Sequence, residues 1–588
     1  MRADNAKITQ TLLGSCLLIS LLGVLIFANH LNNPFQFDSV AYIANNANLK
    51  NPAALLTTEF WQKEFFARGL LRMSMAWNVY LDGFRPLGYH ILNLSFHILN
   101  ALLLFFVLEK SMQRFRLITI SEGSKNFWLI SLLSSLLFLC HPIQTESVIY
   151  IISRSEVVAS TFYLSGFLLF QKLLELPSTS LSQFSFYFFA ILLIALVGFS
   201  VKQIVATLPA IMILYYLFSC PDHSSLIRFL QRWKWVILGI FAVIAIPLLY
   251  KLLTDEAFLI GPSRPEEMVG RAKYMLSQPA VIIFYYLRKL FLPFNLSVDP
   301  DIEVVTGVFS WKFLTPACLI IFLLVFSLRA IKNRFVFFYL CWFFIILSPS
   351  SSIVTLHDLA AEHRTYLASA GILILIVYWV FQVTHAWSRT RPLKITALIL
   401  CVFVALLGIL TIKRNSVWQS ELSLWQDTYQ KSPNKLRPLI NLARAHSLEG
   451  NREKAIAYYK ESLVKGPLVF ATNYNLGDLY LQKGLLEDAL RHFQLALRIE
   501  PQIPETFSKL GDIFLFQKNF KLADSYFRRA VELNPRDFQV FKNLGVLNFY
   551  HLNNPKQGLA FFSRSLILDP DQPEAEKMRE LLTRFSVQ

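Results

Sequence analysis

Charge is what this chain has least of. Asp, Glu, Lys and Arg make up 16% of its 588 residues, where soluble domains carry about a quarter, so an ordinary water-soluble fold is excluded. Carboxylates are the scarcer sign, 39 against 56 Lys and Arg. Of the net +17, residues 413–588 hold +6 and the rest of the chain +11. Placed in short connectors between apolar runs, that excess reads as positive-inside loops and headgroup contact, not as a nucleic-acid surface. Cysteine is sparse as well. Cys16, Cys140, Cys220, Cys318, Cys341 and Cys401 all lie in or beside apolar stretches, and no CxxC pair occurs. Neither a disulfide framework nor a thiolate metal site is expected, and no motif indicates a divalent metal or another cofactor.

What is abundant is apolar: hydrophobic residues reach 54%, with 52 Phe. Runs long enough to cross a bilayer, or nearly so, fall near 9–29, 87–108, 127–141, 147–170, 184–200, 204–219, 235–253, 311–331, 335–350, 366–386 and 395–412. The first has no small-x-small cleavage signal after it and reads as an uncleaved helix. The stretch 279–294 contains Arg288-Lys289 and ends at Pro293. If it lies at the interface or re-enters, the basic connectors Lys110–Lys125, Arg228–Lys234, Arg329–Arg334 and Arg389–Lys394 all fall on the cytoplasmic side. The expectation is therefore a polytopic, all-α membrane bundle of about eleven spans over 1–412. Segments 30–86, 141–146, 200–203, 254–310 and 351–365 then share the opposite face with the tail.

The tail, 413–588, is periodic. Pro433, Pro467, Pro501 and Pro535 recur every 34 residues, and Pro570 follows after 35. Ala443, Gly477, Gly511 and Gly545 keep the same step, as do Ala455, Ala489 and Ala523. A 34-residue period with small residues at these offsets is the tetratricopeptide pattern of stacked helix pairs, an α-solenoid. Four or five units fit, with 571–588 as a polar capping helix. The repeat anchors are packing residues; Tyr474, Asn475, Phe507 and Asn543 would line a groove for an extended protein or peptide.

Polar clusters in the membrane part gather on the face opposite the basic connectors. Asp38 lies among aromatics just beyond the first span, in FQFDSVAYI (35–43). A lone aspartate there is a solvated loop carboxylate or a general base at the membrane surface. The first loop adds Arg68, Arg72 and Arg85. His90, Asn93, His97 and Asn100, spaced three and four apart, share one helix face. A polar stripe on a membrane helix must face the bundle interior or a wet cavity. Two histidines seven apart are too distant for a two-His zinc motif, so interhelical hydrogen bonding is expected. Beyond them come His141, Glu146, Arg154 and Glu156; the last two point to different faces, and each needs a partner from another helix. Lys202 either snorkels or turns inward. Glu362-His363-Arg364 precede the tenth span. Several cations with few carboxylates suit an anionic, lipid-linked ligand, and Arg suits phosphate through its paired donors.

FQFDSVAYI (35–43), GYHILNLSFH (88–97), HPIQTESV (141–148), Arg154 with Glu156, Lys202, LFLPFNLSVD (290–299), EHRTYLASAG (362–371) and RNSVWQSELSLW (414–425), followed by the repeats, resemble the transmembrane-and-tetratricopeptide protein O-mannosyltransferases and their bacterial relatives. The resemblance runs in order along nearly the whole chain. It implies a GT-C glycosyltransferase fold, a polyprenyl-phosphate sugar donor and inverting transfer onto a Ser/Thr hydroxyl, in the periplasm or the ER lumen. By it Asp38 matches the first acidic position and is the base. Arg72, Arg154, Lys202 and Arg364 become donor-phosphate candidates, with Glu146, Glu362, His90 and His141 as pocket groups. The chain departs from the family where Ser39 replaces a second acid, Gln203 an acid after the lysine, and Arg72-Met73 an Arg-Pro pair. Two other readings stand beside it: a membrane-anchored scaffold whose polar clusters serve helix packing, and a transferase acting on lipid or envelope polysaccharide.

Overall fold

The computed structural model describes residues 2–44, 49, 57, 68–115, 123–176, 181–219, 269–329, 333–352, 355–388 and 391–585. These residues are helical or irregular, and the chain divides into two compact units, Met1–Lys431 and Ser432–Gln588.

The first unit is built for an apolar solvent. In α1 (Arg2–Phe27), Leu13, Leu17, Leu21 and Leu25 are exposed while Ile19, Ile26 and Phe27 are buried. A spacing of four places the exposed leucines on one side, and an exposed leucine stripe of that length is stable in hydrocarbon, where the backbone is satisfied within the helix. The next helices are α2 (Gly69–Asp82), α3 (Pro86–Arg114), α4 (Gly123–Cys140), the short α5 (Thr145–Ile149), α6 (Arg154–Leu173), α7 (Leu181–Val201) and α8 (Leu208–Ser219). A further helix, α9 (Arg271–Ala280), continues through a π-helical stretch, Val281–Leu287, into Arg288–Phe291. The unit closes with α10 (Trp311–Arg329), α11 (Arg334–Leu347), α12 (Tyr366–Trp387), α13 (Pro392–Ser416) and α14 (Glu421–Lys431).

Gln10–His30, Pro86–Arg114, Ser182–Val201, Glu362–Trp387 and Pro392–Gln419 are each long and apolar enough to cross a membrane, so this is an integral membrane protein. A sixth crossing is formed if Phe127–Cys140 and Pro142–Ile149, bent by 52°, count as one. The remaining runs expected to cross, or nearly so, differ in length and continuity. The runs at 204–219, 311–331 and 335–350 form shorter apolar helices, Gln203–Ser219, Trp311–Ser327 and Arg334–Ser350. The run at 147–170 is interrupted near Tyr150 and restarts at Arg154, because it must carry buried Arg154 and Glu156 to polar partners. The run at 235–253, the Arg228–Lys234 connector and the loop as far as residue 268 lie outside the described residues. Cys16, Cys140, Cys318, Cys341 and Cys401 carry free thiols.

The polar stripe of α3 does what its spacing predicts. Asn93 donates to the Val148 carbonyl at 3.1 Å and Asn100 to that of Val157 at 2.8 Å. His97 bonds the Tyr366 hydroxyl at 2.7 Å and the Leu139 carbonyl at 3.1 Å. In this way one helix face ties α3 to α4, α5, α6 and α12. At Gly371 of α12 an added Cβ would collide with the Tyr339 carbonyl, so a bare backbone is what lets α11 and α12 approach.

The second unit contains four helix pairs: α15 (Leu436–Leu448) with α16 (Arg452–Lys465), α17 (Phe470–Gln482) with α18 (Leu486–Ile499), α19 (Pro504–Phe516) with α20 (Phe520–Leu533), and α21 (Phe538–Tyr550) with α22 (Pro555–Leu568). The terminal α23 (Ala575–Phe585) inserts Ala575 and Met578 and turns its charged residues outward. Inside each of the last three pairs a glycine faces a phenylalanine ring: Gly477 against Phe493, Gly511 against Phe527 and Gly545 against Phe562. A Cβ at Gly511 would stand 2.6 Å from the Phe527 ring, which is itself fully buried and has nowhere to retreat. Helix propensity alone favours Gly511→Ala by ~1 kcal/mol, whereas overpacking costs ~1–3 kcal/mol. Gly511→Ala should therefore destabilise the solenoid, read as faster hydrogen exchange of α19 and α20 in the intact chain. Slower exchange would refute the packing account.

Candidate functional site

Asp38 is placed by a backbone turn and an aromatic frame. Phe37 holds a left-handed φ of 54°, costly for a bulky residue unless its surroundings enforce it. They do: its ring lies 5.7 Å from that of Tyr150 and 5.3 Å from that of Trp425. Tyr150 stacks on Trp418 at 5.9 Å, and Gln36 donates to the Trp418 carbonyl. The Tyr150 hydroxyl then donates to Asp38 Oδ2 at 2.9 Å, which leaves Oδ1 of the half-buried carboxylate for another proton donor. Ser39, next in sequence, is buried, and its hydroxyl lines a water-sized pocket with Gln36, Tyr150 and Trp418.

Glu146 stands on the other side of Tyr150, close enough to act on its hydroxyl electrostatically. It occupies the first turn of α5, where the helix dipole favours a negative charge. One oxygen meets His363 Nδ1 at 2.6 Å and the other accepts the His363 backbone N–H at 3.3 Å. His363 belongs to a tight turn, Glu362–Thr365, that leads into α12. In the same turn Glu362 is buried and accepts from the Tyr285 hydroxyl at 2.9 Å and the Ser297 N–H at 2.7 Å. Arg364 donates to the Asp358 carbonyl at 2.9 Å and the Tyr274 hydroxyl at 3.4 Å. Lys202 turns inward and pairs with Glu156, within electrostatic reach of Arg68 and Arg364. Residues that are 325 positions apart thus share one neighbourhood, through the chain of contacts Asp38–Tyr150–Glu146–His363.

Behind it an irregular strap, 292–300, is gripped by charge. Lys289 donates to the carbonyls of Phe294 and Asn295, Lys431 to that of Leu296 at 2.7 Å, and Ser297 donates to Glu362. Asn295 takes a left-handed φ of 54°, which an Asn tolerates better than most residues.

The remaining expected site residues have other surroundings. Arg154 is buried, and its guanidinium donates to Asn93 Oδ1 at 2.7 Å, Asn78 Oδ1 at 2.7 Å, the Ser74 carbonyl at 3.1 Å and the Tyr89 carbonyl at 3.2 Å. It clamps α2 and α3 to α6. His141 bonds the Leu290 carbonyl at 3.1 Å and accepts from the Ile143 N–H at 3.2 Å, so both ring nitrogens are engaged. His90 bonds the Asn33 carbonyl at 3.0 Å and meets the His30 ring edge-on. Arg72 lies on the exposed face of α2. Arg154 and Glu156 each find a partner on another element, as their spacing requires. Sequence reasoning passed over His363, Tyr150 and Tyr285. For His363 a signal existed: it stands between the two residues that were singled out. Among the described residues no three His, Cys, Asp or Glu side chains converge to hold a metal ion.

In the repeat unit the first helices of successive pairs are linked by polar residues. Lys509 pairs with Asp478 at 2.6 Å, and Asn543 donates to Asp512 at 3.1 Å. Tyr474 packs on Phe470 and Phe493, and Phe507 on Tyr526. Burial, helped by the nearby Asp478 charge, pushes the Asp512 carboxyl up to about 6.

The architecture is that of a polytopic helical membrane domain followed by tetratricopeptide repeats, and the comparisons agree. The tetratricopeptide-repeat family profile matches residues 440–504 and 508–573. The chain is similar to protein O-mannosyl-transferases: 24% identical to one from Caenorhabditis elegans over 77% of this chain and 62% of that protein, and 22% to TMTC1 of Homo sapiens over 76% and 55%. It thus spans less than two thirds of the length of these relatives. Among solved structures, MamA of Desulfovibrio magneticus RS-1 aligns with 26% of this chain and 85% of its own, at 19% identity and a TM-score of 0.24.

Arg154→Met removes a buried donor fork and leaves the side-chain oxygens of Asn78 and Asn93 without their donor. It should cost about 2 kcal/mol or more, read as a lower melting temperature in detergent; an unchanged one would show the clamp to be dispensable. For Asp512 the sign runs the other way. A folded-state value of about 6, above the unfolded ~3.9, means that the folded chain binds more protons between them, so stability falls as pH rises from about 4 to 6. Asp512→Asn should stabilise the repeats at pH 7.5 by about 1–3 kcal/mol and leave them unchanged at pH 3.5. A loss of stability at pH 7.5 would contradict the burial account.

Proposed function

We propose that this protein is a membrane glycosyltransferase that moves a mannose-like sugar from a polyprenyl-phosphate donor to a Ser or Thr hydroxyl of a protein, on the periplasmic or lumenal side. The reading is supported by the likeness to protein O-mannosyl-transferases and by one observation above the rest. Asp38 accepts from the Tyr150 phenol on one oxygen and keeps the other clear of hydrogen bonds among the described residues.

Asp38 Oδ1 takes the acceptor hydroxyl proton as that oxygen attacks C1 of the sugar. The C1–O bond to phosphate breaks, the electron pair leaves with the phosphate, and the configuration at C1 inverts. Tyr150 holds the carboxylate in place. Arg364 and Lys202, with Arg72 at the surface, are the cations that meet the donor phosphate. Arg154, His90 and His141 support the site from inside the fold. The repeats present the protein acceptor through the groove that carries Tyr474, Asn475, Phe507 and Asn543.

Asp38→Asn keeps the Tyr150 contact and removes the base. Sugar transfer to peptide should fall by about 10²-fold or more, followed by mass spectrometry of the glycopeptide, with membrane insertion and melting temperature unchanged. Undiminished transfer would overturn the assignment of the base. Altered glycolipids beside unaltered glycopeptides, compared with and without the protein, would overturn the protein acceptor.

A further inference from the structure

His363 has the bonding of an oriented proton carrier. Its Nδ1 and its backbone N–H are both fixed on the Glu146 carboxylate, at 2.6 and 3.3 Å. A carboxylate accepts, so Nδ1 carries a hydrogen and the ring cannot turn over. Nε2 makes no hydrogen bond among the described residues, and the side chain is 23% exposed. The other histidines around the site differ. His141 has both nitrogens engaged, and His90 and His97 are bonded deep inside the bundle. Glu146 is 4% exposed, a buried carboxylate placed against a partly open imidazole.

The charged groups packed around His363 are of both signs. Its own turn contributes Glu362 and Arg364. Of these, Glu362 is turned away onto Tyr285 and Ser297, while Arg364 faces Tyr274 and the 358 carbonyl. From α5 comes Glu146, from the preceding turn His141, from the start of α12 Tyr366, and from the π-helical stretch Tyr285 and Tyr286. Lys202, paired with Glu156, and Arg68 lie within electrostatic reach of Arg364. Asp38 is separated from His363 by Tyr150 and Glu146.

We propose that His363, held by Glu146 as its positioning residue, protonates the departing phosphate of the lipid-linked donor while Asp38 deprotonates the acceptor; this rests on the transferase reading above. The donor is a phosphodiester with one negative charge. When C1–O breaks, the phosphate would leave as a monoester dianion, whose second pKa is about 6. A proton passes from Nε2 to the phosphate oxygen, and the lipid phosphate departs as a monoanion. The acceptor proton goes to Asp38. Charge is conserved in the site, and solvent restores both groups before the next turnover.

The test uses the full chain in lipid nanodiscs with a polyprenyl-phosphate-mannose donor and a Ser/Thr peptide. Wild type should lose rate as pH rises from 6 to 9. His363→Gln should lower kcat by about 10²-fold and abolish that alkaline decline, with donor KM changed less. Binding of polyprenyl phosphate alone, without acceptor, supplies a readout independent of turnover. Wild type should bind it several-fold more tightly at pH 6 than at pH 8, and His363→Gln should be indifferent to pH. An unchanged alkaline limb, or equal pH dependence of binding in the two proteins, would overturn the role of His363 while wild-type transfer left the transferase reading standing. Absence of transfer by wild type, with binding still dependent on His363, would overturn that reading and the proton donation with it, and leave a phosphate contact.

Discussion

The guanidinium of Arg154 is the constraint on which the first unit turns. A charge buried in a bundle that faces lipid is costly unless its donors are all received, and here they are received by neutral acceptors from α2 and α3. That requirement fixes where α2 lies and which face α3 shows, and it breaks the apolar run before α6. The break at Tyr150 follows from it. Because the chain must leave helical geometry to bring Arg154 inside, Tyr150 is freed to reach Asp38, and Glu146 is left on a short helix of its own facing His363.

The charged residues of this unit differ in how fully the fold engages them. Arg154, His97 and His141 have all their ring or guanidinium nitrogens hydrogen-bonded to backbone or neutral side-chain groups of the bundle, and His90 bonds the Asn33 carbonyl. Asp38 and His363 are each held on one side and keep another polar atom clear of hydrogen bonds among the described residues, whereas Arg364 is buried and bonded to the Asp358 carbonyl and the Tyr274 hydroxyl. An engaged polar group lowers the free energy of one arrangement; a half-engaged one is oriented and still available. By that criterion Arg154, one of the four cations considered for a donor phosphate, belongs to the fold.

The repeat domain was legible almost completely. A 34-residue period with glycine and alanine at fixed offsets encodes its geometry, since each glycine has a phenylalanine ring against it. The polar stripe on α3 was legible too, because three-and-four spacing has one meaning on a helix. Asp38 could be picked out by its place after the first span and by resemblance to a known family. Arg154 and His141 could not be told from ligand-binding residues, because a sequence shows that a buried charge needs a partner and not whether that partner is a carbonyl or a substrate. His363 was hidden for the opposite reason: between Glu362 and Arg364, nothing distinguishes the residue whose ring nitrogen faces outward. The number of spans is legible only approximately, because an apolar run does not reveal where a buried charge will interrupt it.

The strap at 292–300 has a further consequence. Irregular chain is barred from hydrocarbon because its amides and carbonyls lack partners there. In this strap the carbonyls of Phe294, Asn295 and Leu296 are capped by lysine ammonium groups, and the Ser297 amide is capped by a carboxylate. Those four groups need no water. A loop so equipped can sink below the headgroups beside the apolar end of a lipid-borne molecule and keep its shape while doing so, which a solvated loop of the same length could not.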